Sequence, residues 1–305
     1  MKFPLSKYIW FDGKLVPVNM AKVPVTTHAI HYGTSIFEGI RAYWNSKNLY
    51  VFRLKDHIKR FRNSGQFYNI ALNFSDKQIE NAVIDLCKKN KIKKSCYIRP
   101  FYFVGQYGIN FHVTQKAPTH TAIFAFPFGD LFNKNGITAT ISKWRKFSDL
   151  STPIQAKMGG NYLNSVLATQ DAKQKGFDEA IMLDQSGNVS EAPGENIFLV
   201  KNNKLITPTL SASALDGITQ NSIITLVKDM NLKVKARKVS KKELKFADEI
   251  FLSGTAAEIT PIIKLDKKKI GDGKVGKITK SLMTSYAEIV MNKNKKYSNC
   301  LTPVF

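Results

Sequence analysis

The chain has 305 residues, more than the ~100–200 usual for one domain, so two domains or one large one are expected. Hydrophobic residues make up 43%, which suits a folded globular protein and excludes a disordered one. Forty-six Lys and Arg against 23 Asp and Glu give a formal charge of +23; this suits a nucleic-acid partner by charge alone, but the basic residues lack the interleaved aromatics of nucleic-acid modules, so a solvated, lysine-biased surface is expected instead.

Residues 7–50 alternate β-rich pieces ("YIWFDGKLVPV", "IRAYWNSKNLYVF") with Gly and Asn turn signals, which predicts antiparallel strands and hairpins. The period then changes. "RLKDHIKRFRNSGQF" carries Leu54, Ile58 and Phe61 at helical spacing, with Asp56 early and Gly65 at the expected end. "SDKQIENAVIDLCKKN" repeats Ile79, Val83 and Leu86 behind a Ser75 cap and predicts a second helix. Strands return in "SCYIRPFYFVG" and "HTAIFAFPFG" and complete a first α+β domain over residues 1–128. The polar, Gly-bounded segment 129–136 reads as a linker, and residues 137–305 as a second domain. There the pattern predicts helices near 161–175, 219–230 and 277–292, and strands near 179–184, 195–201, 232–239 and 247–253. The order suggests antiparallel-type strands and an α+β, barrel-like arrangement rather than strict βαβ alternation.

Cys87, Cys96 and Cys300 form no CxxC pair, so neither a disulfide framework nor a metal site is expected, and a reducing cytoplasm fits. No apolar run approaches the ~20 residues of a membrane helix, and the first residues lack a signal peptide's apolar region, so no membrane partner is expected. Five stretches are richer than packing needs: "HYGTSIFEGIRAY", "HIKRF", "AKMGGNYLNS", "SEAPGENIF" and "SGTAAEITP". Each alone is weak, because most lysines are solvated and most Gly-rich polar turns are only turns.

In this order, and together with "YIRP", they resemble the fold-type IV pyridoxal phosphate enzymes, and within them the branched-chain amino acid aminotransferases. The resemblance implies a D-amino acid aminotransferase-like α+β fold of two domains, a small α/β N-terminal one and a larger pseudo-barrel. It implies that Lys157 is the catalytic lysine that bonds the cofactor. Such a lysine attacks an aldehyde only as the free amine, so its pKa must fall from ~10.4 through burial or a nearby cation. Gly159 and Gly160 are expected to leave room for a flat ring, and Asn161 to cap the following helix. Tyr162 matches the residue that hydrogen-bonds the ring's phenolic oxygen. Glu191 matches the carboxylate that keeps the pyridine nitrogen protonated, with Glu195 in support. For the phosphate the resemblance offers Arg60, Thr255 and the helix start at Gly217, Ile218 and Thr219, whose N–H groups suit a dianion. Many relatives read "GITR" where this chain has Gln220.

For the substrate, the turn at Thr255 and Ala256 offers an anion-binding nest, and Tyr97 and Arg99 match residues that receive a carboxylate. The apolar side chain is expected against Phe37, Phe128 and, from a partner subunit, Tyr32. Phe128 departs from the tryptophan common in relatives. The implied reaction is reversible transfer of an amino group between leucine, isoleucine or valine and 2-oxoglutarate, giving glutamate, in a homodimer or a larger homo-oligomer such as a hexamer. A D-amino acid aminotransferase or an aminodeoxychorismate lyase shares the fold and cofactor, but "HYGTSIFEGIR" and "YIRP" side with the branched-chain branch. A basic nucleic-acid-binding protein would explain the charge but not these motifs.

Overall fold

The computed structural model describes residues 6–305. Two compact units emerge, and they are not the consecutive stretches 1–128 and 137–305: the first joins residues up to Gly129 with Ala156–Gly160 and Glu288–Phe305, and the second holds Asp130–Gln155 and Asn161–Ala287. Lys157 therefore packs with the first unit although it lies beyond the expected linker.

In the first unit the chain runs β1 (Tyr8–Phe11), β2 (Lys14–Pro17), α1 (His28–Tyr32), β3 (Ser35–Phe37), β4 (Ile40–Trp44), β5 (Leu49–Phe52), α2 (Leu54–Gln66), α3 (Asp76–Lys89), β6 (Cys96–Val104) and β7 (Thr119–Pro127). The short α1 interrupts a stretch that reads as strand and turn; Gly33, at φ +67°, ends it in a left-handed cap that a β-carbon would resist. All pairings are antiparallel. β6 is central, flanked by β3, β4 and β7, and a late strand, Leu301–Pro303, pairs with β5 at the sheet edge.

Helix α3 forms as its sequence demands. Ser75 and Gln78 make a reciprocal capping box, Lys88 and Lys89 occupy the last turn, and Ile79, Ala82, Val83 and Leu86 form a buried stripe. That stripe joins Leu54 and Ile58 of α2 and Ile40, Val51 and Ile98 of the sheet in one core. Burying each of the larger side chains contributes about 1.5–3 kcal/mol. As expected, Gly65 stands at the end of α2, in its last turn, and a β-carbon there would sit 1.8 Å from the Tyr102 hydroxyl. Tyr102, fully buried, donates to Phe61 O at 3.2 Å, so the glycine makes space for an aromatic ring.

The second unit runs β8 (Ile137–Arg145), α4 (Tyr162–Gln174), β9 (Glu179–Leu183), β10 (Asn196–Lys201), β11 (Lys204–Thr207), α5 (Ile218–Asp229), β12 (Lys233–Ala236), α6 (Lys241–Leu244), β13 (Glu249–Gly254), β14 (Glu258–Leu265) and β15 (Lys268–Lys269), followed by α7 (Lys277–Val290). Its sheet has the order β12-β11-β10-β13-β14-β8-β9, with β15 on β14. The expectation of antiparallel-type strands holds for β10, β11, β13, β14 and β15 and is corrected at the flanks, where β8 is parallel to β14. β8 and β9 are parallel and joined through α4, and β11 and β12 are parallel and joined through α5, so two βαβ crossovers are present. Buried Ile181, Ile197, Ile250, Leu252 and Ile262 fill the core on one side of the sheet. Among the described residues no helix is long and apolar enough to cross a membrane.

Candidate active site

In the first unit the segment carrying Lys157 is pinned through its backbone. Lys157 N–H donates to Ser64 Oγ of α2 at 3.0 Å, and its carbonyl accepts from Phe37 N–H at 3.1 Å. Ile36 and Met158 bridge, and Gly160 N–H donates to Gly33 O at 3.1 Å. Glycines on both sides of this contact allow the close approach. A β-carbon at Gly159 would sit 2.3 Å from Ser35 Oγ, and one at Gly33 would sit 2.9 Å from Gly160 Cα. Gly159 and Gly33 thus let two turns distant in sequence close on each other beside the lysine.

The Lys157 amine lies 4.9 Å from the centre of the Phe37 ring, and the Arg99 guanidinium lies 4.7 Å from the same ring. Burial, and then the charge of Arg60, pull the Lys157 pKa down to about 8, with Glu38 acting the other way. A useful fraction of free amine thus exists near neutral pH. Arg99 donates from Nη2 to the Tyr97 hydroxyl at 3.1 Å, while its buried Nε meets no hydrogen-bond partner. Such an unsatisfied cationic donor is costly and suits an incoming carboxylate. Tyr97 packs at 5.4 Å on Phe128, whose carbonyl and that of Gly129 accept from Arg41. The structure thus gathers Lys157, Phe37, Tyr97, Arg99 and Phe128, with Arg60 close enough to act on the amine. Tyr32 is exposed, with its ring edge-on to Phe111 at 5.0 Å.

Glu38 and His57 lie inside "HYGTSIFEGIRAY" and "HIKRF", where the sequence alone assigns them no role. Both are fully buried, and Glu38 accepts from Arg60 Nε at 2.6 Å and from His57 Nδ1 at 2.7 Å. Burial opposes charge on Glu38, but Arg60 and His57 outweigh it and hold the carboxyl well below its usual range. Burial likewise pushes the His57 pKa down, so the ring is neutral and donates through Nδ1.

In the second unit Glu191 is buried and fully engaged. Oε1 pairs with Lys146 Nζ at 2.6 Å, and Oε2 accepts from Asn196 Nδ2 at 3.1 Å and Leu215 N–H at 3.0 Å. Lys146, just past β8, was not singled out from the sequence, where it is one lysine among many. Burial opposes its charge, but Glu191 outweighs burial and raises its pKa, with Tyr162 and Glu195 adding to the effect. Asn196 also donates to Leu215 O at 2.9 Å, and a β-carbon at Gly217 would sit 1.9 Å from Asn196 Oδ1. One side chain thereby links Glu191 to the start of α5. Gly217 caps α5 without a side-chain hydrogen bond, with Ile218 and Thr219 buried in its first turn.

Thr255 and Ala256 lie in the hairpin turn between β13 and β14, both half-buried. Gln220 donates to Thr207 Oγ1 at 2.9 Å, so this departure serves packing inside the unit. Asn161 does not cap α4 as expected; its backbone is already helical, and its side chain accepts from Thr152 Oγ1 at 3.0 Å. A cavity of about 940 Å³ lined by Tyr8 and six lysines, among them Lys88, Lys91 and Lys94, shares no residue with either group.

The family model for class IV amino-transferases matches residues 35–265, a span that includes Lys157, Glu191, Thr219 and Thr255. The chain belongs to the class IV aminotransferases. Within the family it groups with the branched-chain enzymes. It is 41% identical over 302 residues to a probable branched-chain-amino-acid aminotransferase of Aquifex aeolicus, covering 98% of this chain and 97% of that one. Its fold matches the branched-chain aminotransferase of Thermoproteus uzoniensis, solved with norvaline, at TM-score 0.95 and 39% identity over 98% of this chain and 100% of that one. It matches the branched-chain amino acid aminotransferase of Thermobaculum terrenum, solved in its PLP-bound holo-form, at TM-score 0.93 and 34% identity over 99% of each chain. These class IV likenesses extend over nearly the full chain, both units included.

Proposed function

We propose that this protein is a pyridoxal phosphate-dependent enzyme that reversibly transfers the amino group of leucine, isoleucine or valine to 2-oxoglutarate, giving branched 2-oxo acids and L-glutamate. The observation that carries the reading is Lys157, an amine held at about 8 in a pinned backbone segment beside an arginine with an unsatisfied donor. The residues fit the cofactor's chemistry: an amine for the aldehyde, Arg60 and the start of α5 at Gly217 for the phosphate, and buried Glu191 for the ring nitrogen.

When bound, pyridoxal phosphate supplies an aldehyde for the amine and a conjugated ring that spreads the electron pair left at Cα. Lys157 takes the Cα proton as a neutral amine and returns it as an ammonium, acting as both base and acid. Tyr162 and Glu191 orient the ring through its phenolic oxygen and nitrogen. Arg60, Gly217, Ile218, Thr219 and Thr255 hold the phosphate. Thr255 and Ala256 receive the α-carboxylate with Tyr97. Arg99 takes the second carboxylate of glutamate through its fork, and turns aside when an apolar side chain meets Phe37 and Phe128.

The protein works as a homodimer or a larger homo-oligomer such as a hexamer, with Tyr32 serving the partner's site. Support comes from the surface around Tyr32, where Val25, Ile30, Ile109 and Phe111 are between 60% and 81% exposed. The three free cysteines suit a cytoplasmic location. Light scattering tests the assembly, and a monomer at micromolar concentration would refute it. The activity is tested by the absorbance of the lysine-bound cofactor. L-leucine is expected to bleach it and 2-oxoglutarate to restore it, whereas bleaching by D-alanine alone would move the chain to the D-amino acid branch.

A further inference from the structure

We propose that Glu38 is the positioning residue for the cofactor phosphate, acting through a two-point clamp on Arg60. This rests on the reading of Arg60 as the phosphate arginine. Glu38 Oε1 accepts from Arg60 Nε at 2.6 Å and Oε2 from Nη2 at 3.0 Å, so one edge of the guanidinium is fixed in its plane. Oε2 also accepts from His57 Nδ1 at 2.7 Å and Gly39 N–H at 3.2 Å, which fixes the clamp itself. His57 and Arg60 stand three residues apart on α2, so one helix face presents both donors to one carboxylate. Glu38 is 0% exposed, while the Arg60 side chain keeps 15% of its surface open. The carboxylate is sealed behind the arginine, and the arginine's remaining surface is what a ligand can reach.

The cost of the arrangement argues for a purpose. A buried ion pair is often no better for stability than apolar packing of the same volume. Glu38 also cancels part of Arg60's positive field, which by itself weakens attraction for a dianion. What it supplies is direction: a guanidinium already held in one plane loses little freedom when it accepts a phosphate. Neighbouring Phe37 faces Lys157 and Arg99. The consecutive residues Phe37 and Glu38 therefore serve the reacting end and the phosphate end of one ligand.

The two effects of Glu38 have opposite signs, so one titration separates them. The full-length protein, stripped of cofactor, is titrated with pyridoxal phosphate and with pyridoxal, which lacks the phosphate. Glu38→Gln is expected to weaken pyridoxal phosphate at least tenfold and to leave pyridoxal within about twofold. In an Arg60→Lys background the same change is expected to add little, because its route runs through the guanidinium. Unchanged or tighter binding of pyridoxal phosphate by Glu38→Gln would overturn the role, as would equal loss of both ligands. Should Glu38→Gln fail to fold by circular dichroism, Glu38→Asp keeps the charge and shortens the arm by one methylene. It must show the same phosphate-selective loss, and wild-type affinity in it would overturn the role. A wild type that takes up neither ligand would overturn the function above together with this proposal. A wild type that binds, alongside a Glu38→Gln that binds equally well, would overturn the Glu38 role alone.

Discussion

Each unit holds a buried carboxylate against a cation, and the working partner differs between them. In the first, Glu38 clamps Arg60 at two points and the arginine is the residue assigned to the ligand. In the second, Lys146 meets Glu191 at one point and the carboxylate is the residue assigned to the ligand. The difference follows from what each position asks for. A phosphate is received best by a planar fork of fixed orientation, so its support must be directional. A ring nitrogen needs one negative charge, and that charge is kept by a compact ammonium and two hydrogen bonds from Asn196 and Leu215.

The comparison can be broken most sharply at Glu191. Glu191→Gln keeps the shape and the Leu215 contact but removes the charge, so turnover is expected to fall by ~10³-fold with the fold retained, within the ~10²–10⁴ range of a lost acid–base group. Normal turnover in that variant would show that the second carboxylate is structural. Removing its support instead should act on stability: Lys146→Met leaves a buried carboxylate unpaired, and urea unfolding should show a loss of about 3 kcal/mol, with Lys146→Arg recovering part of it.

Arg99→Ala tests whether the unsatisfied donor is aimed at a carboxylate. The glutamate half-reaction is expected to slow ~10–100-fold more than the leucine half-reaction, in line with ~1.5–3 kcal/mol for a charged hydrogen bond. Equal losses would end that assignment. A smaller effect comes from pH. The Lys157 pKa lies at about 8 in the fold, so the free-amine fraction grows about tenfold between pH 7 and 9. Because the folded pKa lies below the unfolded one, the destabilisation due to this lysine is greatest at low pH. It fades as pH rises from about 8 towards ~10.4. The rate of pyridoxal phosphate attachment should rise about tenfold from pH 7 to pH 9 and then level off, and a rise that continues towards ~10.4 would remove the lysine's special environment.

Much of this was legible in the sequence where the cause is local. The α3 capping box and the apolar stripes of α2 and α3 are written in spacings of three and four, and the structure places both helices there. The motifs "YIRP" and "AKMGG" likewise led to Tyr97, Arg99 and Lys157, which the fold gathers around Phe37. What escaped depends on partners far along the chain. The need for a glycine at 65 shows only once Tyr102 is in place, and that at 159 only once Ser35 is. Lys146 carries no pattern of its own in a chain with 46 basic residues. Glu38 did leave a signal, a carboxylate amid the apolar neighbours of "SIFEGI", whereas His57 stands in the charged run "RLKDHIKRF" with an arginine three residues beyond it. The βαβ crossovers escaped because a short apolar run does not show which way its neighbour points.

The edge strand Leu301–Pro303 also has a consequence for biosynthesis. It pairs with β5, which leaves the ribosome roughly 250 residues earlier. At ~5–20 residues per second, β5 waits roughly 10–50 s with an unpaired apolar edge. The first unit is the earlier to emerge, yet its sheet is completed only after the second unit's strands have been translated. Through most of translation β5 therefore has its β4 partner on one side and an open backbone edge on the other.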